Sequence, residues 1–185
     1  MPSINPFHSW QPLEARAARE TDPRVRTLLT AVRDHMEHEI RGHLPELMAT
    51  LTAEPVYHFW IPAGAFTLRG REAVTGFYSN MIAVGGNQFE VVVEKIVADR
   101  GSVITEGQVK QVQTGKALLA AGRSEFGGVA IAPGDLFLTC AQLITVWPGD
   151  PDGKLIGEDI YFGEDALSTA RKINREELPP GFRLP

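Results

Sequence analysis

The order in which two periodicities appear constrains this chain more than any single motif does. Helically spaced apolar residues come first, and long alternating runs fill most of the remaining chain. Asp22 is placed to cap a helix, with Pro23 at its first position. Apolar residues then fall at 25, 28, 29, 32, 36 and 40, one face of a helix that Gly42 ends. A short second helix, "PELMATL", starts at Pro45 and buries Leu47, Met48 and Leu51. The stretch "PVYHFWIPAGAFTLRGREAVTGFY", residues 55–78, reads as an aromatic strand opened by Pro55. It breaks at Pro62 and Gly64, returns as a second strand, and restarts at Gly70 as a helix. That helix, "REAVTGFYSNMIA", gathers Ala73, Val74, Phe77, Tyr78 and Met81 on one face.

The remainder is sheet: "QFEVVVEKIVA", "VITEGQVKQV", "LFLTCAQLITVW" and "LIGEDIYF", with turns at "DRGS" and "PGDPDGK". A Gly-rich connection over 114–135 has room for a small strand at "GVAIA". A short helix, "EDALSTARKI", and a Pro-rich tail follow. Helices grouped before long strands argue an α+β domain, its helices on one face of a curved antiparallel sheet. The expected organisation is an arm over 1–21, a domain over 22–175 and a tail over 176–185. Phe7 and Trp10 are costly to leave bare, so the arm is expected to dock on its own domain or on a partner subunit.

The formal net charge of -5 disfavours nucleic acid, whose phosphates need a basic surface. A single cysteine, Cys140, leaves no intrachain disulfide and no multi-cysteine zinc site. No apolar run approaches the roughly 18 residues of a membrane span, and the N-terminal residues lack a signal-peptide core. These features point to a cytoplasmic protein without a membrane partner.

Three stretches, "HMEHEIRGHLPELMATLTAEPVY", "LRGREAVTGFY" and "DGKLIGEDIYF", resemble in order and spacing the nuclear-transport-factor-2-like fold and, within it, the SnoaL-like group. The resemblance implies a cone, a bent sheet wrapped around three helices with an apolar pocket at its wide end, and homodimers through the outer face of the sheet. It also implies a choice among polyketide cyclases, epoxide hydrolases, ketosteroid isomerases, dehydratases and binding proteins, which fold alone does not decide. The epoxide hydrolase pattern puts water-holding residues where this chain has Tyr57 and Phe59, an Arg-x-Asp pair at Gly107 and Val109, and an Asp at Ile160. The ketosteroid isomerase base falls at Ile61. Only Tyr57 matches, and a positioned base is absent from all those places.

Other acids remain. On a helical wheel Glu39 falls within the buried stripe, with His35 one turn before it and within (i, i+4) reach. A carboxylate there is expensive unless paired, and a raised pKa suits it to acid–base work. Alternatively it bonds backbone N–H groups at the next loop, with His35 a satisfied neighbour. Strand alternation from Ile160 places Glu158, Ile156 and Phe162 inward, with Asp159 and Tyr161 outward. Glu158 is then the more pocket-exposed acid, or else a rim charge paired with Lys or Arg. Tyr57 and Tyr78 are the pocket hydroxyls, or core aromatics bonded to backbone, while His58 and Trp60 take the opposite parity. Arg69 and Arg71 are read as salt-bridge partners. No metal or nucleotide motif is present: "GDPDG" lacks the spacing of a calcium loop, and "GRSEFGG" has no following lysine.

The candidate catalytic residues are thus Glu158, Glu39 and His35, and the candidate lining is Tyr57, Phe59, Ile61, Phe77, Tyr78, Met81 and Ile160. The favoured reading is a cofactor-independent lyase, isomerase or cyclase acting by proton transfer on a small hydrophobic molecule, a cyclic ketone, polyketide or terpenoid. A non-catalytic ligand-binding dimer and a protein-interaction domain are the alternatives.

Overall fold

The structure, a computed structural model, describes residues 2–126 and 128–185. Helices α1 (Gln11–Ala18), α2 (Pro23–Arg41) and α3 (Leu44–Ala49) lead into strands β1 (Leu51–Ile61) and β2 (Gly64–Arg69) and helix α4 (Gly70–Ala83). Strands β3 (Glu90–Ala98) and β4 (Ser102–Thr114) follow, then α5 (Gly115–Ala120) and a two-residue ribbon, β5 (Glu125–Phe126) with β6 (Val129–Ala130). Strands β7 (Leu136–Pro148), β8 (Leu155–Phe162) and β9 (Arg171–Ile173) complete the chain. The main sheet runs β2-β1-β8-β7-β4-β3, with β9 paired to β7.

This is the α+β cone. One pairing departs from the all-antiparallel expectation: β1 and β8 run parallel. The other neighbours on that path are antiparallel. β1 and β8 come from opposite ends of the domain, and no short turn imposes an antiparallel direction on them.

Helix α2 forms as its signals dictate. The Asp22 carboxylate accepts from the N–H groups of Arg24 and Val25, Pro23 opens the first turn, and Gly42 closes the helix in the left-handed conformation. Its buried face is Val25, Leu28, Leu29, Val32, His35, Met36 and Ile40. The carbonyls at its end are taken by Asn87 and Gln88 side chains, and the Arg71 guanidinium takes the Met48 carbonyl at the end of α3 and the Thr52 carbonyl at the start of β1. Arg71 therefore caps a helix instead of pairing with an acid.

Several local expectations change. β1 starts at Leu51, four residues before Pro55. The Gly-rich connection contains α5, capped by the Thr114 hydroxyl, and Gly127 of "GRSEFGG" lies outside the described residues. "EDALSTARKI" folds as one 3-10 turn followed by β9, not as a helix. The arm docks on its own domain. Ile4 and Trp10 are buried, the Asn5 N–H donates to Glu90, and the Ser9 hydroxyl accepts from the Val91 N–H. The arm thereby covers the free edge of β3. Phe7 stays half exposed beneath the Arg41 guanidinium.

The strand that carries Glu158 is shaped by Gly157. Its φ of +154° and the 1.8 Å between an added Cβ and the Val56 carbonyl oxygen leave no room for a side chain. The β1–β8 register shifts beside it, and the parity of β8 breaks there. Ile156, expected inside, is therefore exposed, while Glu158 and Ile160 are buried. Gly157→Ala is expected to destabilise the fold by about 3 kcal/mol or more, measured by urea denaturation.

Candidate active site

The cup holds a mainly apolar cavity of about 130 Å³. Phe59 and Ile160 from the adjacent strands β1 and β8 face Phe77 and Met81 of α4, and Val109, Gln111, Leu143, Thr145 and Trp147 line it from β4 and β7. The volume is below the several hundred Å³ of drug-sized pockets. It is close to the roughly 150 Å³ apolar cavity that accepts a benzene ring.

At one side four polar atoms meet. The Tyr78 hydroxyl lies 2.8 Å from Oε1 of Glu158, 3.0 Å from the Tyr57 hydroxyl and 2.9 Å from Nε2 of His35. Nε2 is also 3.3 Å from the Tyr57 hydroxyl and 3.2 Å from Oε1 of Glu158. Each residue comes from a different element: His35 from α2, Tyr57 from β1, Tyr78 from α4 and Glu158 from β8. The parallel register sets Tyr57 directly beside Glu158.

The tautomer of His35 follows from its other nitrogen. Nδ1 is 2.7 Å from the Thr50 hydroxyl oxygen, and that hydroxyl donates its single proton to the Leu47 carbonyl at 2.7 Å. Nδ1 must then be the donor. Nε2 is left as the acceptor nitrogen of the neutral ring, facing the two tyrosines and Glu158.

Glu39 completes the group. One donor atom from each of His35, Glu39 and Glu158 lies within 4.8 Å of the others. Glu39 is partly accessible, but the surface it exposes lines the cavity, and protein encloses it. Burial first, and the nearby Glu158 second, push its carboxyl well above the usual 4.5 of a glutamate. Burial, again reinforced by Glu158, likewise raises both tyrosine hydroxyls well above 10.0, so they stay protonated donors.

Most sequence-predicted residues therefore meet. Glu39, Glu158, Tyr57, Tyr78, Phe59, Phe77, Met81 and Ile160 line the cavity, and His35 lies directly behind it. Three details differ. Ile61 sits past the cup, in a surface hollow beside the β1–β2 turn, because the hairpin reverses there. His35 bonds Tyr78 and Thr50, and the (i, i+4) bond to Glu39 is not made. Glu158 is the more buried of the two acids, and its partners are Tyr78 and His35, not a Lys or Arg on the rim. The Glu39 backbone carbonyl, not its carboxylate, holds the loop. Sequence reasoning missed Thr50, Thr105, Gln111, Thr145 and Trp147. Strand parity from Val109 on β4 and Trp147 on β7 carried the signal for the last four.

His35, Glu39 and Glu158 are also a donor set that a divalent cation uses. Here the Tyr78 hydroxyl lies between Nε2 and Oε1 at hydrogen-bond distance from both, an arrangement suited to moving protons. Among the described residues no helix is long and apolar enough to cross a membrane.

Comparison with known proteins agrees with this architecture. A family model described as a SnoaL-like domain matches residues 32–130. No curated protein matches the chain. Among solved structures, the chain is similar to one described as a SnoaL-like polyketide cyclase from Shewanella putrefaciens CN-32. The TM-score is 0.60 at 13% identity, covering 85% of this chain and 90% of that one. It is similar to an LEH-like epoxide hydrolase from M. tuberculosis, with TM-score 0.52, 18% identity, and 80% and 89% covered. It is also similar to the epoxide hydrolase/cyclase-like enzyme SalBIII of salinomycin pyran ring formation, with TM-score 0.54, 12% identity, and 79% and 95% covered. At these identities the likeness is one of fold.

The raised carboxyl of Glu39 has a thermodynamic signature. Between 4.5 and its raised folded value the native state holds a proton that the unfolded state has released. Stability therefore falls as pH rises through that window, and stays reduced above it. Glu39→Gln, which mimics the neutral form, is expected to raise the thermal midpoint above wild type at about pH 8. The gain should shrink as pH falls and vanish below the unfolded value of 4.5. Melting curves across pH check it.

Proposed function

The chain belongs to the SnoaL-like domain family, and from that premise we propose an enzyme that moves a proton on a small hydrophobic ring compound by general acid–base catalysis. The observation that carries the reading is the meeting of Glu158, His35, Tyr57 and Tyr78 beside an apolar cavity that Glu39 also lines. A single ring fits between Phe59, Phe77, Met81 and Ile160. Its oxygen, turned to the tyrosines, takes a hydrogen bond as negative charge develops. Glu158 acts as base, with Nε2 of His35 beside it to share the proton. Glu39, whose neutral form burial and the nearby Glu158 favour, donates to the carbon or the leaving oxygen. The scheme uses side chains alone and accounts for isomerase, lyase or cyclase outcomes according to where the second proton goes.

Hydrogen–deuterium exchange at the α-carbon of monocyclic enones, followed by NMR in D₂O, tests it. Glu158→Gln is expected to slow that exchange by about 10²–10⁴-fold with the thermal midpoint little changed. Unaltered exchange would remove Glu158 as base. The mainly apolar lining favours a second reading, a ligand-binding protein without turnover. On that reading a ring compound raises the midpoint and no α-exchange occurs with wild type.

The partner proposed for the outer face of the sheet is a second copy of the chain. Trp60 stacks on Tyr161 at 4.4 Å between centroids, beside the His58–Asp159 pair, and the apolar surface continues through the outward Ile144, Val146, Ile104 and Val97. That row crosses five neighbouring strands, the kind of face that two copies related by symmetry would bury. Trp60→Glu is expected to convert a dimer to a monomer in light scattering; a monomeric wild type would refute the assignment.

A further inference from the structure

His35 has no exposed surface, yet it is not sealed from water on both sides. Its Nε2 faces the cavity cluster. Its Nδ1 faces the Thr50 hydroxyl, and Thr50 lines a separate hollow on the other side of α2 and α3. Asp34 and His38 of α2, Glu46 of α3, and Asp152 and Lys154 of the β7–β8 turn surround that hollow. Nδ1 of His38 is buried there without a partner among the described residues.

Thr50 itself is held firmly. Its N–H donates to the Leu47 carbonyl at 3.1 Å, its own carbonyl accepts from the Leu155 N–H at 3.0 Å, and Lys154 bonds the carbonyl of Ala49 just before it. The hydroxyl thus stands between a buried imidazole and a solvent-facing hollow, on a backbone held by hydrogen bonds on both sides.

We propose that Thr50 is a proton relay connecting His35 to solvent through this hollow, a route separate from the cavity mouth. This rests on His35 being the proton carrier of the reading above. In the outward direction imidazolium gives its Nδ1 proton to Oγ1 of Thr50. The hydroxyl turns from the Leu47 carbonyl, and its original proton passes to water in the hollow. One O–H bond forms and one breaks, no charge stays on oxygen, and neutral imidazole keeps its proton on Nε2. The inward direction reverses each step. A hydroxyl suits this task because it donates and accepts at once, and it leaves the tyrosine–glutamate cluster undisturbed. With the mouth filled by substrate, the cluster resets its protonation through the back of the cup.

The test needs no substrate. In protein labelled with ¹⁵N at histidine, NMR follows the Nδ1 proton of His35 and its exchange with water, with and without a ring compound blocking the cavity. Wild type is expected to exchange this proton far faster than the slowest core amides, and to keep doing so with the cavity filled. Thr50→Val keeps the shape and removes the hydroxyl; exchange is then expected to slow about tenfold or more, since it must wait for local opening. Thr50→Ser is expected to stay near wild type.

Exchange in Thr50→Val as fast as in wild type overturns the relay. Were that variant not to fold, wild-type exchange no faster than the core amides would overturn it equally. The two proposals fail separately. Slowed exchange without any turnover leaves the relay and removes the enzyme, whereas α-exchange that needs Glu158 but an indifferent Nδ1 proton does the reverse.

Discussion

An acid inside an apolar cup is the constraint around which this molecule is arranged. An unpartnered carboxylate at the position of Glu158 costs several kcal/mol, so the fold must bring donors to it. Tyr78 of α4 donates to it directly, and Tyr57 of β1 and His35 of α2 gather around the same Tyr78 hydroxyl. The helix layer and the sheet are thus joined by a polar knot as well as by apolar packing. The knot also fixes details that look arbitrary from outside. β8 must pair parallel to β1 so that Tyr57 and Glu158 stand side by side. Gly157 must be glycine so that β8 can shift parity and turn Glu158 inward.

On the proposed reading, Glu39 is the residue that makes this arrangement chemical. Glu158 accepts a hydrogen bond from the Tyr78 hydroxyl, whereas among the described residues no protein donor reaches the Glu39 carboxyl, whose neutral form is favoured by burial and by Glu158. Two acids within 4.8 Å with such different surroundings divide naturally into a proton donor and a proton acceptor. A second acid in the cup costs stability at neutral pH, and proton transfer is the use that the proposed enzyme makes of it.

Much of this was legible in the sequence because helical and strand periodicities are local. The stripe of α2, with Glu39 within it, and the alternation that sets Tyr57 and Phe59 opposite His58 and Trp60 needed no tertiary information. What failed was non-local. Ile61 lies two residues, one inward step, past Phe59 on a strand that is about to reverse. Ile156 was assigned by an alternation that Gly157 breaks, and a close approach to Val56 from the far end of the chain is invisible to pattern reading. His35 was paired with Glu39 because (i, i+4) neighbours are the only ones a helical wheel shows. Its real partners come from residues 50, 57, 78 and 158. Thr50 escaped for the same reason: a threonine closing a short helix reads as a cap, and nothing local says that its oxygen faces a histidine.

In the proposed enzyme, the position of His35 bears on how the cup keeps turning over. In a cavity of about 130 Å³ a bound ring leaves little space for water beside the acids. Exclusion strengthens every hydrogen bond at the site, but it also traps whatever proton the chemistry leaves behind. An imidazole resolves that conflict, since its two nitrogens lie on opposite edges of one ring and are coupled through it. One edge serves the dry side, where the tyrosines and Glu158 need a low dielectric, while the other meets a hydroxyl at the margin of a wet one. No carboxylate or tyrosine placed at residue 35 separates the two environments in this way. The physical case for histidine at that position is therefore the division between them, more than its basicity.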